Sequence, residues 1–235
     1  MANSFTRHIP NTVTCLNLFS GCIACVMAFE SNYLWAAFFI ILGAVFDFFD
    51  GMLARVLNAY SPIGKEFDSL ADDITFGLAP ALIVFSLFKE VHYPEFLIGI
   101  KEYVPYFAFL IAVFSALRLA KFNIDERQTS SFIGMPTPAN ALFWTSLSVG
   151  AYDFLTSSHF NAIYLMLMVV LFCGLLVSEI PMFALKFKNL TWKDNKFRFI
   201  FLLVCILLLV FLQLAGFAAC IVWYVLLSLF LKGKQ

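Results

Sequence analysis

The sequence predicts an all-α protein, a polytopic membrane bundle of about eight transmembrane helices, and three observations carry that prediction. Hydrophobic residues make up 62% of the 235-residue chain and charged residues only 13%, against roughly 45–50% and about 25% in soluble domains. Mean hydropathy is +0.90. Nearly charge-free runs recur along the chain at the length of about 20 residues that a helix needs to cross the hydrocarbon core. Finally, of the fifteen Lys and Arg, all but Lys89 and Lys101 fall on one side of the resulting topology, as expected for the basic cytoplasmic side.

The first span, 10–29, is too long and lacks the cleavage pattern of a removable signal peptide, and it carries Asn11, Thr14 and Asn17 as a polar face near its start. The second and third spans, 33–58 and 63–88, reach full length only by running into the acidic stretch between them. Their connection, "LNAYSPI", is short, and Ser61-Pro62 is both a turn and a helix-start signal, so the two helices should be antiparallel neighbours. Spans at 103–122, 138–156 and 161–180 complete a six-helix unit. The basic stretch "PMFALKFKNLTWKDNKFR" at 181–198 then reads as a cytoplasmic linker.

The apolar run 199–231 would make a helix about 50 Å long at ~1.5 Å per residue, too long for a ~30 Å core. It is better divided into spans 197–212 and 216–231, turning at Gln213 and Gly216, which also keeps Lys232 and Lys234 on the basic side. The expected organisation is therefore a transmembrane core over 1–180, the linker over 181–198 and a C-terminal hairpin over 199–235. A net charge of zero argues against a nucleic-acid partner. The Cys22-Ile-Ala-Cys25 pair has no second pair or nearby His and reads as apolar packing.

Within this apolar chain, residues 47–73 hold six of the fifteen acidic residues. Ionisable groups in spanning segments cost roughly 2.5–3.5 kcal/mol each on insertion scales and mark function by default. Asp47 and Asp50 stand i, i+3 on the second helix, and Gly64, Asp68 and Asp72 stand i, i+4, i+8 on the third, so each helix has one acidic stripe. Antiparallel packing brings the stripes together at similar depth, about 10 Å from the cytoplasmic helix ends by the helical rise. Four carboxylates so placed would repel, whereas one or two Mg²⁺ or Mn²⁺ ions would accept them as hard oxygen ligands. Small residues at Gly51, Ala54 and Gly64 leave room for a ligand, and Arg55 suits a phosphate. The combination points to phosphoryl chemistry on a nucleotide entering from the cytosol. The competing reading is a set of helix-end carboxylates neutralised by Lys65 and Arg55, and an EF-hand is excluded by the spacing.

The pattern Asp47-x2-Asp50-Gly51-x2-Ala54-Arg55-x8-Gly64-x3-Asp68-x3-Asp72 resembles the complete signature of the CDP-alcohol phosphotransferases. "IPNTVTCLNLFSG" at 9–21, "FDSLADDITFGLAP" at 67–80, "LRLAKFNI" at 117–124 and "FIGMPTPANA" at 132–141 are similar to one bacterial branch of that family, which uses CDP-diacylglycerol and L-serine. Lys121 stands where that branch more often has Arg. The resemblance implies a six-helix, homodimeric catalytic unit among membrane lipids, in the bacterial inner membrane, with its active site facing the cytoplasm and two divalent cations, Mg²⁺ or Mn²⁺. It implies Asp47, Asp50 and Asp68 as metal ligands, Asp72 as both ligand and general base, and Gly51, Ala54, Arg55 and Gly64 as the frame of the CDP moiety.

Position adds Asn11 and Thr14 as candidates to reach the cytidine, and Arg118 and Lys121 at the end of the fourth span as candidates for the serine carboxylate. Phosphatidylglycerophosphate or phosphatidylinositol-phosphate synthesis is the alternative within the family. A cation or proton transporter is the alternative from another class, since intramembrane acids also mark ion paths.

Overall fold

The computed structural model describes residues 8–125, 132–182 and 191–232. Arg7, Arg127, Lys186, Lys188, Lys234 and the 183–190 part of the expected linker lie outside the described residues. Helix α1 spans His8–Phe29, α2 Tyr33–Val56, α3 Pro62–Asp72, and α4 Ala79–Glu90. Between α3 and α4 runs a π turn, Asp73–Leu78. After 3₁₀ turns at Glu95–Ile100 and Val104–Phe109 come α5 Leu110–Ile124, α6 Thr137–Gly150, the single turn α7 Tyr152–Leu155, and α8 Ala162–Val177. Helices α9, Trp192–Leu212, and α10, Ala215–Lys232, close the bundle.

Among the described residues, five helical segments are long and apolar enough to cross a membrane: His8–Phe29, Tyr33–Val56, Pro62–Glu90, Val104–Ile124 and Asn195–Leu212. Ala162–Val177 and Ala215–Leu231 are apolar but shorter, and α6 has 14 residues. The all-α polytopic bundle is thus what the chain forms. Strand-like pairing among the described residues is confined to a two-residue antiparallel match of Phe132–Ile133 with Pro181–Met182 and an isolated bridge between His92 and Asn161.

Local chemistry accounts for most boundaries. Asn32 caps α2 through its side chain, and Ser61 caps α3 by accepting the Gly64 N–H at 3.0 Å with Pro62 following at the first turn. The α2–α3 turn passes through Asn58 at φ 48°, a left-handed position that Asn tolerates, so α2 stops two residues short of the expected 58. The long C-terminal run does divide at Gln213, φ 48°. The expected 138–156 span is broken at Ala151 (φ −124°, ψ 20°), leaving α7 as a separate turn.

The π turn was not expected, although Pro80 marks it. Inside a helix a proline offers no N–H to the carbonyl four residues back and crowds it. That carbonyl is Phe76's, in the middle of the widened turn. The continuous segment Pro62–Glu90 is the most enclosed of the spanning helices. Its buried Phe76, Ile83, Leu87 and Phe88 form the centre of the core with Ala24, Ala28, Ile40, Ile111, Trp144 and Phe172. Thr75, in the π turn, is fully buried, and its hydroxyl donates to the Asn17 carbonyl at 3.2 Å. A Cβ on Gly21 of α1 would strike the Thr75 hydroxyl, and one on Gly43 of α2 would stand 2.6 Å from its methyl. Two glycines therefore seat the π turn against α1 and α2.

Phe19, Phe29, Phe38, Phe48, Leu167, Val210 and Phe211 are exposed, the lipid-facing surface of such a bundle. Helix α10 packs on α6, and α9 packs chiefly on α10. At the junction of α6 and α10, a Cβ on Gly150 would collide with the backbone of Ala215.

Candidate active site

The acidic stripes meet as their spacing predicts. One carboxylate oxygen each from Asp47, Asp50 and Asp68 lies within 4.8 Å of the others, an arrangement that could hold a metal ion. Helix α1 supplies their neutral partners. Buried Thr14 donates its hydroxyl to Asp50 Oδ2 at 2.6 Å, and fully buried Asn17 donates Nδ2 to Asp72 Oδ1 at 3.1 Å. Asp72 is not one of the three close carboxylates; it stands one turn farther along α3, towards the π turn. Asp68 Oδ1 and Asn17 Oδ1 are buried without a hydrogen-bond partner among the described residues. A cluster of hard oxygen donors with an unsatisfied buried oxygen suits a divalent cation of the Mg²⁺ or Mn²⁺ type, so the residues present fit such an ion.

Beside the cluster opens a cavity of about 780 Å³. Asp50 and Asp68 reach it from the acidic cluster, and Asn11, Thr14, Gly51, Ala54, Arg55 and Gly64 line it, as do Pro10, Ala59, Tyr60, Ser61, Lys65 and Phe122. Asn11 fits there because Gly64 has no side chain: a Cβ would stand 2.9 Å from Asn11 Oδ1. Arg55 is exposed and folds back, with Nε donating to the Gly51 carbonyl at 2.9 Å. The volume is in the range of small-molecule sites.

Sequence reasoning missed Tyr60 and Phe122 as walls, because two aromatic residues do not stand out among thirty Phe and eight Tyr. It also left Lys65 as a mere countercharge. Lys65 Nζ donates to the Asn123 carbonyl at 2.9 Å while Asn123 Nδ2 donates to Ser69 Oγ at 2.9 Å, so α3 and α5 are latched at the cavity mouth.

Arg118 and Lys121 diverge. Arg118 is buried, 6% exposed, with its guanidinium 4.8 Å from the centre of the Phe122 ring and within electrostatic reach of the Asp72 carboxylate. Lys121 is exposed and directs Nζ to the Val177 carbonyl of α8 at 3.5 Å, away from the cavity lining.

A helical membrane bundle with a carboxylate cluster at one end, opening on a cavity with polar and cationic side chains in its wall, defines a membrane-embedded site for a charged ligand. The chain belongs to the CDP-alcohol phosphatidyltransferase family, whose model matches residues 7–176. Among its relatives, the CDP-diacylglycerol–serine O-phosphatidyltransferase of Helicobacter pylori strain 26695 is 33% identical over 209 residues, 87% of this chain and 80% of that protein. The Bacillus subtilis protein of the same name is 40% identical over 132 residues, 56% of this chain and 70% of that protein. The archaetidylserine synthase of Methanothermobacter thermautotrophicus is 30% identical over 153 residues, 64% of this chain and 62% of that protein. Family membership makes the chain a membrane-bound transferase and leaves the ion-transport reading without support.

Proposed function

We propose that the chain is a phosphatidylserine synthase, which transfers the phosphatidyl group of CDP-diacylglycerol to the hydroxyl of L-serine and releases CMP. The observation that carries this reading is the cavity joined to the Asp47–Asp50–Asp68 cluster; the relatives' names supply the acceptor. The cavity takes the cytidine diphosphate end of the donor, with Asn11 and Thr14 towards the nucleoside, Arg55 towards phosphate, and Gly51, Ala54 and Gly64 leaving room for it. Lipid chains leave through the apolar outer surface.

Asp47, Asp50 and Asp68 would hold up to two divalent cations, with Asp72 as a further ligand. When bound, such ions neutralise the pyrophosphate and stabilise CMP as it leaves. Asp72, oriented by Asn17, takes the proton of the serine hydroxyl as that oxygen forms its bond to the lipid-linked phosphorus and the bond to CMP breaks. Arg118 holds the serine carboxylate through a charge-assisted pair, and Lys121 lies outside this constellation. We further propose a homodimer in the bacterial inner membrane with the cavity facing the cytoplasm, following the basic residues of the loops.

The test is CMP release from vesicles containing CDP-diacylglycerol and a divalent metal, on addition of L-serine, glycerol 3-phosphate or an inositol phosphate. Serine should drive release. A response to either phosphorylated acceptor with none to serine would assign the chain to another branch of the family.

A further inference from the structure

A second cavity, of about 420 Å³, opens beside Glu90, at the end of the spanning segment Pro62–Glu90 that lies away from the acidic cluster. It forms where the end of α4 meets the start of α8. His92 and Asn161 make a parallel backbone bridge, and the Ala162 N–H donates to the His92 carbonyl at 2.9 Å, so the two walls are tied together. Tyr93 is buried and donates its hydroxyl to the Phe88 carbonyl at 2.8 Å, which holds its ring in place. Lys101 lays its ammonium over that ring, 5.2 Å from the centre. Thr156 and Ser158, in the turn before α8, close the other side.

This lining carries donors that the protein leaves unused. Among the described residues the Lys101 ammonium has no ion pair, and neither the His92 imidazole nor the Ser158 hydroxyl has a hydrogen-bond partner. The one carboxylate in the wall does not answer Lys101, because the two oxygens of Glu90 accept the Tyr33 and Tyr152 hydroxyls at 2.9 Å each. An ammonium, an imidazole and a hydroxyl around a cavity of this size suit an oxyanion.

The surrounding surface says which kind of oxyanion. Ile98 belongs both to the cavity wall and to the 3₁₀ turn Glu95–Ile100, which has no buried residue and exposes Phe96, Ile98 and Ile100. Just beyond it, at the start of the spanning segment Val104–Ile124, Tyr103 and Tyr106 are exposed, as aromatic residues at a membrane interface are. The polar cavity therefore opens at the level of lipid headgroups and continues into an apolar face.

We propose that this cavity binds the phosphate of a phospholipid headgroup in the leaflet opposite the acidic cluster, with Lys101, His92 and Ser158 as donors and the acyl chains along Phe96, Ile98 and Ile100. The site takes no part in the transfer reaction proposed above. It anchors the loop between α4 and α5 to the lipid beside it.

The test titrates the full chain in detergent with a short-chain phosphatidylglycerol, with the diacylglycerol of the same chains and with inorganic phosphate, each followed by calorimetry. Lys101→Gln should weaken phosphatidylglycerol binding about 10-fold, the scale of a hydrogen bond to a charged group, and Lys101→Arg should keep most of it. Ser158→Ala should weaken it by about 2–10-fold. Neither Lys101→Gln nor Ser158→Ala should change the binding of diacylglycerol or the KM for CDP-diacylglycerol in vesicles.

Equal affinities of the wild type for phosphatidylglycerol and diacylglycerol would overturn phosphate recognition. Inorganic phosphate that displaces the lipid at equal concentration would overturn the lipid as occupant and leave a soluble-anion site. A lipid that loses affinity in Arg55→Ala and none in Lys101→Gln would be bound in the first cavity, which also overturns the proposal. Should Lys101→Gln not fold, Ser158→Ala and the wild-type comparison decide.

Discussion

The segment Pro62–Glu90 carries acids at both ends of the bundle, and the two ends treat them oppositely. At the far end, Glu90 is fully engaged: Tyr33 donates its hydroxyl to Oε1 and Tyr152 to Oε2, each at 2.9 Å. Next to it, Lys89 lies over the rings of Phe85 and Phe29 at 4.2 and 5.2 Å. The bond to Glu90, more than burial, raises the Tyr152 phenol above its ordinary range, because the carboxylate favours the protonated phenol. At the other end, Asp68 and Asp73 each keep a buried oxygen without a hydrogen-bond partner among the described residues, and three carboxylates crowd within 4.8 Å. The protein can satisfy a membrane acid with its own phenols and does so where the role is structural. Where it withholds a partner, at Asp68, the unmet oxygen belongs to the cluster to which the proposed function assigns ions.

That contrast can be broken most severely by removing what the open end awaits. Chelating divalent cations should abolish CMP release, and adding back Mg²⁺ or Mn²⁺ should restore it; activity that persists in excess chelator would mean that the Asp cluster works without metal. Next in size, Asp72→Asn should lower kcat by about 10²–10⁴-fold, the usual scale for a lost general base, while CDP-lipid still binds. Near-normal turnover would take the base role away from Asp72.

Arg118→Ala should raise the KM for serine roughly 10–100-fold with a far smaller change for CDP-diacylglycerol, and Lys at this position should restore it only in part for want of the planar fork. An equal rise in both constants would reassign Arg118 to the pyrophosphate. Smallest in its effect on turnover, Glu90→Gln should leave kcat unchanged and cost about 1–3 kcal/mol of stability, read as a lower Tm in detergent. A large loss of activity without loss of stability would erase the distinction between the two ends.

Much of the open end was legible because charge is conspicuous in an apolar sequence. Two stripes at helical spacing and a Ser-Pro turn were enough to bring Asp47, Asp50 and Asp68 together. The polar face of α1 was visible too, since Asn11, Thr14 and Asn17 recur every three residues. What escaped was geometry that depends on a change of helical pitch. A regular helix would have continued through Asp73–Leu78, and only Pro80, seven residues beyond Asp73, hinted that the pitch opens there. The break at Ala151 escaped because an alanine carries no signal for it. Lys121 shows the converse limit: position near Arg118 suggested a shared role, but three residues of helix do not fix where a long flexible side chain points.

The contact between Gly150 and Ala215 has a consequence for how the protein is made. These backbones meet too closely for a methyl group, so α10 completes a wall of α6 that the earlier helices leave open. A ribosome translating this chain emits α6 some sixty residues before α10, and throughout that interval the face of α6 that will carry Ala215 has only lipid or the insertion machinery to cover it. The last hairpin is therefore a late closing step of assembly, and a chain arrested before it would present quality-control proteases with an unfinished seam.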